Sequence, residues 1–284
     1  MRLFLLPIST RRTLLYCQKL QALPSEKKSR IDRITSRAAK LWSDWEKKES
    51  GWQRVVVKYG NRALRQIPYE EWGLKSVPTL SARRRAEEVM GKEKHHLIFP
   101  ESIISATRAP QILHTLATER ASLHRSRMIW CFVGMPITAP FALVPIIPNL
   151  PFFYLVYRAW SHYRALAGGK HLQWLLSRNF LTVSPSEALD TIFSHHVRSS
   201  NPPVKPTHPD SFQKDKGSST QERLLLTQES SRKLAQTLEV PELEAELERA
   251  IWQVETAIRK QEQSDVSERT SPTPGPKQSN PEKK

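Results

Sequence analysis

The spacing of apolar and polar positions divides the chain into a helical N-terminal half, an uncharged middle and a C-terminal pair of helices. From Ser25 to Ile67 the residues Ile31, Ile34, Leu41, Trp45, Val55 and Leu64 recur near the 3.6-residue period of an α-helix. Gly51 is a weak point and Pro68 a stop, so the pattern predicts either one long helix or two broken near Gly51. Trp42, Trp45 and Trp52 fall on this stripe and read first as packing residues, with base stacking or interface anchoring as the competing uses. Arg83, Arg84 and Arg85 ahead of Glu87 and Glu88 predict an exposed helix with internal ion pairs. Arg2 to Pro7 reads as extended, and the short apolar run Leu97 to Pro100 is its candidate partner in a two-stranded pairing. Ile103 to Arg127 reads as a helix leading into the uncharged middle.

Met128 to Tyr157 carries no charged residue over 30 positions, the sharpest anomaly in a sequence whose mean hydropathy is -0.52. Met128 to Ile147 has the roughly 20 residues that a spanning helix needs, and its large apolar side chains favour insertion by roughly 3 to 5 kcal/mol. Pro136 and Pro140 kink such a helix, and Pro145, Pro148 and Pro151 around Asn149 turn the chain. The aromatic stretch that follows, Phe152 to Tyr163, has the composition of an interfacial belt. Arg120, Arg125 and Arg127 precede the uncharged run and Arg158, Arg164 and Lys170 follow it. Basic flanks on both sides favour a hairpin or re-entrant loop with both ends on one face over a single span. The competing reading is a core helix of a soluble fold, in which so long an uncharged run is rare. The expected fold is therefore mainly α and membrane-embedded, with one Pro-rich transmembrane or re-entrant segment at about 128–157 and a minor β pairing.

Charge adds direction. The formal net charge is +16, and Met1 to Arg127 holds 26 Lys or Arg against 12 Asp or Glu. A basic half suits anionic lipid headgroups, nucleic acid or both. The first 25 residues contain Arg2, Arg11, Arg12 and Lys19 and no acid, as in a mitochondrial import signal; an ordinary first strand and helix is the alternative. Beyond 198 the segment 199–220 mixes Pro, Ser, Lys and Asp without period, which predicts a flexible linker. Thr227 caps a helix through Leu238, and Pro241 opens a second one ahead of Leu243, Leu247, Ala250 and Val254. This acidic pair, 221–262, with coiled-coil-like spacing, is expected to bind a protein partner, and 263–284 is expected to form a disordered tail.

Catalytic chemistry is not expected. The sequence has no phosphate loop, dinucleotide fingerprint, nucleophile elbow or paired-cysteine signature, so no enzyme, cofactor or catalytic residue is assigned. Cys17 and Cys131 are the only cysteines, and the adjacent pairs His95–His96 and His195–His196 point their side chains in different directions, which makes each a poor bidentate metal site.

Several strings are family-specific: MRLFLLPISTRRTLLYCQ, KLWSDWEKKESGWQ, IPYEEWGLKSVP and IPNLPFFYLVYRAWSHYRALAGGKHL, with a looser one at LTQESSRKLAQTLEVPELEAELERAIWQVE. Over residues 1–198 the chain resembles the mitochondrial K+-H+ exchange-related family of fungi. The resemblance implies a protein of the mitochondrial inner membrane, linked to potassium-proton exchange and organelle volume, and working with other inner-membrane proteins of an ion-exchange complex. An accessory or assembly role is the expected one, because the uncharged run holds no ionisable side chain for an ion path. The alternative is a matrix-side protein that binds the mitochondrial ribosome or RNA through the basic half. The resemblance supplies no ion-binding or catalytic residues.

Overall fold

A computed structural model of the chain describes residues 1–18, 37, 40–91, 95–140, 149–199 and 222–270. The expected linker, the segment 19–36, and Pro145 and Pro148 lie outside the described residues.

The first 18 residues form a β-hairpin. Strand β1 (Arg2–Pro7) pairs antiparallel with β2 (Thr13–Gln18), from Arg2 opposite Gln18 to Pro7 opposite Thr13. At the turn the Ser9 hydroxyl accepts the Arg12 amide at 3.0 Å. A second strand stands where a helix was expected after the first, because both faces of this hairpin are covered: Leu14 and Tyr16 enter one core, Leu15 and Cys17 the other. A strand buried on both sides reads as a continuous apolar run, without the alternation that betrays a strand. The segment that resembles an import signal thus forms the edge strand β2 and the interior strand β1 of the sheet. β3 (His95–Phe99) lies parallel to β1, with Leu3 opposite Leu97, which is the pairing expected from sequence. β4 (Leu181–Pro185) adds parallel to β3, giving the order β2-β1-β3-β4.

Helices cover both faces. In chain order they are α1 (Trp52–Arg65), α2 (Tyr69–Ser76), α3 (Ala82–Val89), α4 (Ala109–Thr118), α5 (Ala121–Thr138), α6 (Leu150–Ser177), α7 (Glu187–Ser199), α8 (Gln228–Thr237) and α9 (Glu242–Thr270). Gly51, at φ 100°, separates α1 from a helical stretch over 40–46, and the Trp45 and Trp52 rings meet edge to face across that break at 5.3 Å. On one face of the sheet Phe4, Leu6 and Tyr16 pack with Phe193 of α7, Leu234 of α8, and Leu243, Leu247 and Val254 of α9. The acidic C-terminal helices therefore turn their apolar sides onto the N-terminal strands, and α9 continues to Thr270. On the other face Leu3, Leu5 and Phe99 pack with Leu74 of α2, Leu113 of α4, and Leu172 and Leu175 of α6. Here α6 approaches α2 so closely that a Cβ added at Gly168 would overlap the Leu74 carbonyl oxygen.

α5 and α6 form an antiparallel hairpin. The pairs His124 with His162, Gly134 with Leu155, and Thr138 with Asn149 mark its rungs, the last closed by the Asn149 amide donating to the Thr138 carbonyl at 2.6 Å. The expected membrane-embedded segment is corrected here: among the described residues no helix is long and apolar enough to cross a membrane. The uncharged run is split between two helices. α5 spends its first seven residues on a stretch with Arg125 and Arg127, leaving 128–138, about 16 Å of helix against the roughly 30 Å of a hydrocarbon core. α6 is 28 residues long but meets Arg158, Arg164 and Lys170 after its first two turns.

A buried polar junction as candidate functional site

Helical spacing on three elements converges on one point at the root of the hairpin. α2 presents Glu71 and Lys75, four apart on one face; α6 presents Arg158, Ser161 and His162; α5 presents His124. All six are buried. The Arg158 guanidinium holds both Glu71 carboxylate oxygens, at 2.8 and 3.2 Å, and the Ser161 hydroxyl donates to the same carboxylate. Such a fork offsets part of the cost of taking two charges out of water, and removing either partner strands the other. Burial by itself pushes the Glu71 carboxyl up, but the Ser161 and Arg158 contacts outweigh it and hold the group below the usual carboxylate range.

The same arginine sets the histidine tautomers. Arg158 Nη2 lies 3.1 Å from His162 Nε2 and is only a donor, so that nitrogen accepts and the His162 proton sits on Nδ1. Nδ1 in turn donates to His124 Nδ1 at 3.0 Å, which places the His124 proton on Nε2. That N–H has no hydrogen-bond partner among the described residues. Burial pushes the His162 pKa down to about 4, with Glu71 pulling it up and Arg158 and His124 pushing it further down. His124 is lowered too, chiefly by burial. At neutral pH the junction holds neutral imidazoles around one ion pair.

Lys75 completes it. Its ammonium sits 3.5 Å from the centre of the Trp72 ring, 5.4 Å from Tyr157 and 5.7 Å from Trp160, an aromatic cage with the Tyr157 hydroxyl as acceptor at 3.3 Å. Burial pushes its pKa down to about 8. Arg249 from α9 stacks on Trp72 at 4.4 Å, tying the C-terminal helix to the same spot.

Glu71, His124 and His162 offer ligand atoms within 4.8 Å of one another, close enough for a metal ion. The guanidinium that already holds Glu71 also faces His162 Nε2, so a second cation would meet like charge there. The donor set is better matched to its own arginine than to a metal.

The residues that sequence reasoning singled out scatter over the hairpin. Trp130, 70% exposed, lies midway along it and Pro136 and Pro140 toward its tip, with Pro151 in the first turn of α6 and Met128 half-buried. Tyr157 and Arg158 belong to the junction; Arg164 donates to the Lys75 carbonyl at 3.2 Å and Arg120 pairs with Glu70 at 2.8 Å. Arg125 and Lys170 line an open cleft with Arg85 and Tyr163, and Arg127 is exposed. The sequence reading missed Glu71, Lys75, His124, Ser161 and His162. A signal was present in the (i, i+4) pair Glu71–Lys75, set on an otherwise buried helix face.

These features define a mainly helical, three-layer protein around a small mixed sheet, with an ion-paired polar junction under a protruding helical hairpin. The chain belongs to the mitochondrial K+-H+ exchange-related family, whose model matches residues 2–176, the strands, the junction and the whole hairpin. Family membership associates the protein with mitochondria and with K+-H+ exchange. An uncharacterized protein of Schizosaccharomyces pombe is 29% identical over 228 residues, covering 78% of this chain and 97% of its own. An uncharacterized protein of Saccharomyces cerevisiae is 26% identical over 196 residues, 60% of this chain and 61% of its own. No solved structure matches the chain.

Proposed function

We propose that the protein is an accessory component of K+-H+ exchange at the mitochondrial inner membrane, which meets other inner-membrane proteins of the exchange machinery through the tip of its helical hairpin. The family supports the process. The observation that carries the mode of action is the hairpin surface from its middle to its tip: Ile129, Trp130, Phe132, Ile137 and Phe153 are each more than half exposed on two packed helices. An exposed apolar and aromatic surface of this kind marks a contact site. The junction at the root holds that surface in place, since Arg158 and His162 of α6 and His124 of α5 are locked to α2. The Glu71–Arg158 pair is closed by Ser161 and His162, with only the His124 Nε2–H left over, which suits a structural role better than the passage of ions.

Swelling of isolated mitochondria in potassium acetate reads electroneutral exchange. Mitochondria lacking the protein should swell more slowly than wild type, and re-expression should restore the rate. Unchanged swelling in its absence would overturn the proposal.

A further inference from the structure

Several basic side chains at the root of the hairpin are used internally. Arg158 holds Glu71 and Arg120 holds Glu70, both at 2.8 Å, and Arg164 donates to the Lys75 carbonyl. Three others share a space instead. Arg85 of α3, Arg125 of α5 and Lys170 of α6 line one open cleft of about 620 Å3. That volume falls within the roughly 300–1,000 Å3 of ligand sites. No acidic side chain lines the cleft, and none of the three cations forms an ion pair among the described residues. Like charges around a shared hollow raise its positive potential, and here the opposite charge has to come from outside the chain.

The rest of the lining is largely apolar. Leu80, just before α3, joins Met128 of α5 and Leu166 and Trp174 of α6. Helical spacing accounts for the mixture. Arg125 and Met128 fall on one face of α5, and Tyr163, Leu166 and Lys170 on one face of α6, so each helix turns both a cation and apolar side chains toward the cleft. A free phosphate ion has no use for the apolar part. A nucleic acid calls for rings on which bases stack, and Leu80, Met128 and Leu166 offer none. An amphiphilic anion uses the whole lining, its charged group against the cations and its hydrocarbon against the aliphatic side chains.

We propose that this cleft binds the headgroup of an anionic phospholipid at a membrane surface, with Arg85, Arg125 and Lys170 on the phosphate and the apolar lining against the first carbons of the acyl chains. Contact of this kind needs no segment that crosses the bilayer, in keeping with the helix lengths among the described residues. It goes beyond the exchange role and rests on other residues than the exposed aromatic side chains of the hairpin, so swelling and lipid binding fail independently.

The test is co-sedimentation of the full-length protein with vesicles of phosphatidylcholine alone or mixed with phosphatidylglycerol, at physiological ionic strength, where the long-range attraction of a basic chain is screened. Binding should require phosphatidylglycerol. The double variant R125Q/K170Q should weaken it about 25-fold, at about fivefold for each cation near an anionic surface. K58Q/R62Q removes the same charge from exposed positions of α1 outside the cleft and should weaken it less than about twofold. Both variants change exposed side chains only and should melt like the wild type. Soluble glycerol phosphate, which carries the charged group without acyl chains, should not displace the protein at matched phosphate concentration. Binding that is absent, or equal on the two kinds of vesicle, would overturn the proposal. Equal losses in the two double variants would overturn it too, because they would mean diffuse attraction to a chain of net charge +16. Displacement by glycerol phosphate would assign the cleft to a soluble phosphate compound, and capture of poly(U) RNA through Arg125 and Lys170 without vesicle binding would assign it to nucleic acid; either result contradicts the lipid site.

Discussion

The root and the tip of the α5–α6 hairpin invert the usual arrangement of a globular protein. At the root the charged and polar groups are inside: His162 is 1% exposed, Glu71 1% and Arg158 8%. From the middle to the tip the apolar groups are outside, with Trp130 at 70% and Ile137 at 68%. Apart from Glu71, which α2 contributes, both sets belong to the same two helices. The contrast separates tasks along one hairpin. Paired polar groups fix the position and angle of the helices, and the apolar end is left for something else to cover. Its energetic signature should be equally lopsided, with stability concentrated at the root and function at the tip.

The largest effect should come from stranding a charge at the root. Glu71→Ala or Arg158→Ala should cost about 3–5 kcal/mol in denaturant unfolding, whereas Glu71→Leu with Arg158→Met should cost far less than the sum. Similar losses for the double variant and the sum would mean that the pair acts independently, against the geometry. Gly168→Ala forces α6 off α2 and should destabilise by about 1–3 kcal/mol, checked by thermal melting. Acid should weaken the root through His162. Its folded pKa, about 4, lies below the unfolded value near 6.5, so between those values the unfolded chain binds the proton and the folded one does not. Stability should therefore fall as pH drops through that window, by up to about 1.4 kcal/mol per unit from this group, and His162→Phe should flatten the slope. The smallest effect belongs to the exposed hairpin surface: Trp130→Ser should change unfolding free energy by no more than about 0.5 kcal/mol, the usual size for an exposed position.

Local signals carried much of the architecture. The break at Gly51, the pairing of Leu3 with Leu97, and the two helices after Thr227 and Pro241 were all legible, because each depends on a breaker, a cap or a short apolar run. The strand Thr13–Gln18 was not, since burial on both faces erased its alternation. Nor was the fate of the uncharged run. Absence of charge over 128–157 says only that the segment avoids ions, and two short helices packed on each other do that as well as a membrane span. The junction was invisible for a different reason: Glu71 and Arg158 are 87 residues apart, and only packing of α2 against α6 makes them partners.

The division between root and tip is tested most directly in mitochondria that lack the native protein and carry either the wild-type chain or one with Trp130, Phe132 and Phe153 all changed to Ser, at matched protein levels. The wild-type chain should restore potassium-acetate swelling, and the triple variant, equally stable in melting experiments, should not. Full restoration by the triple variant would contradict the account, because it would mean that the exposed tip carries nothing the exchange process needs.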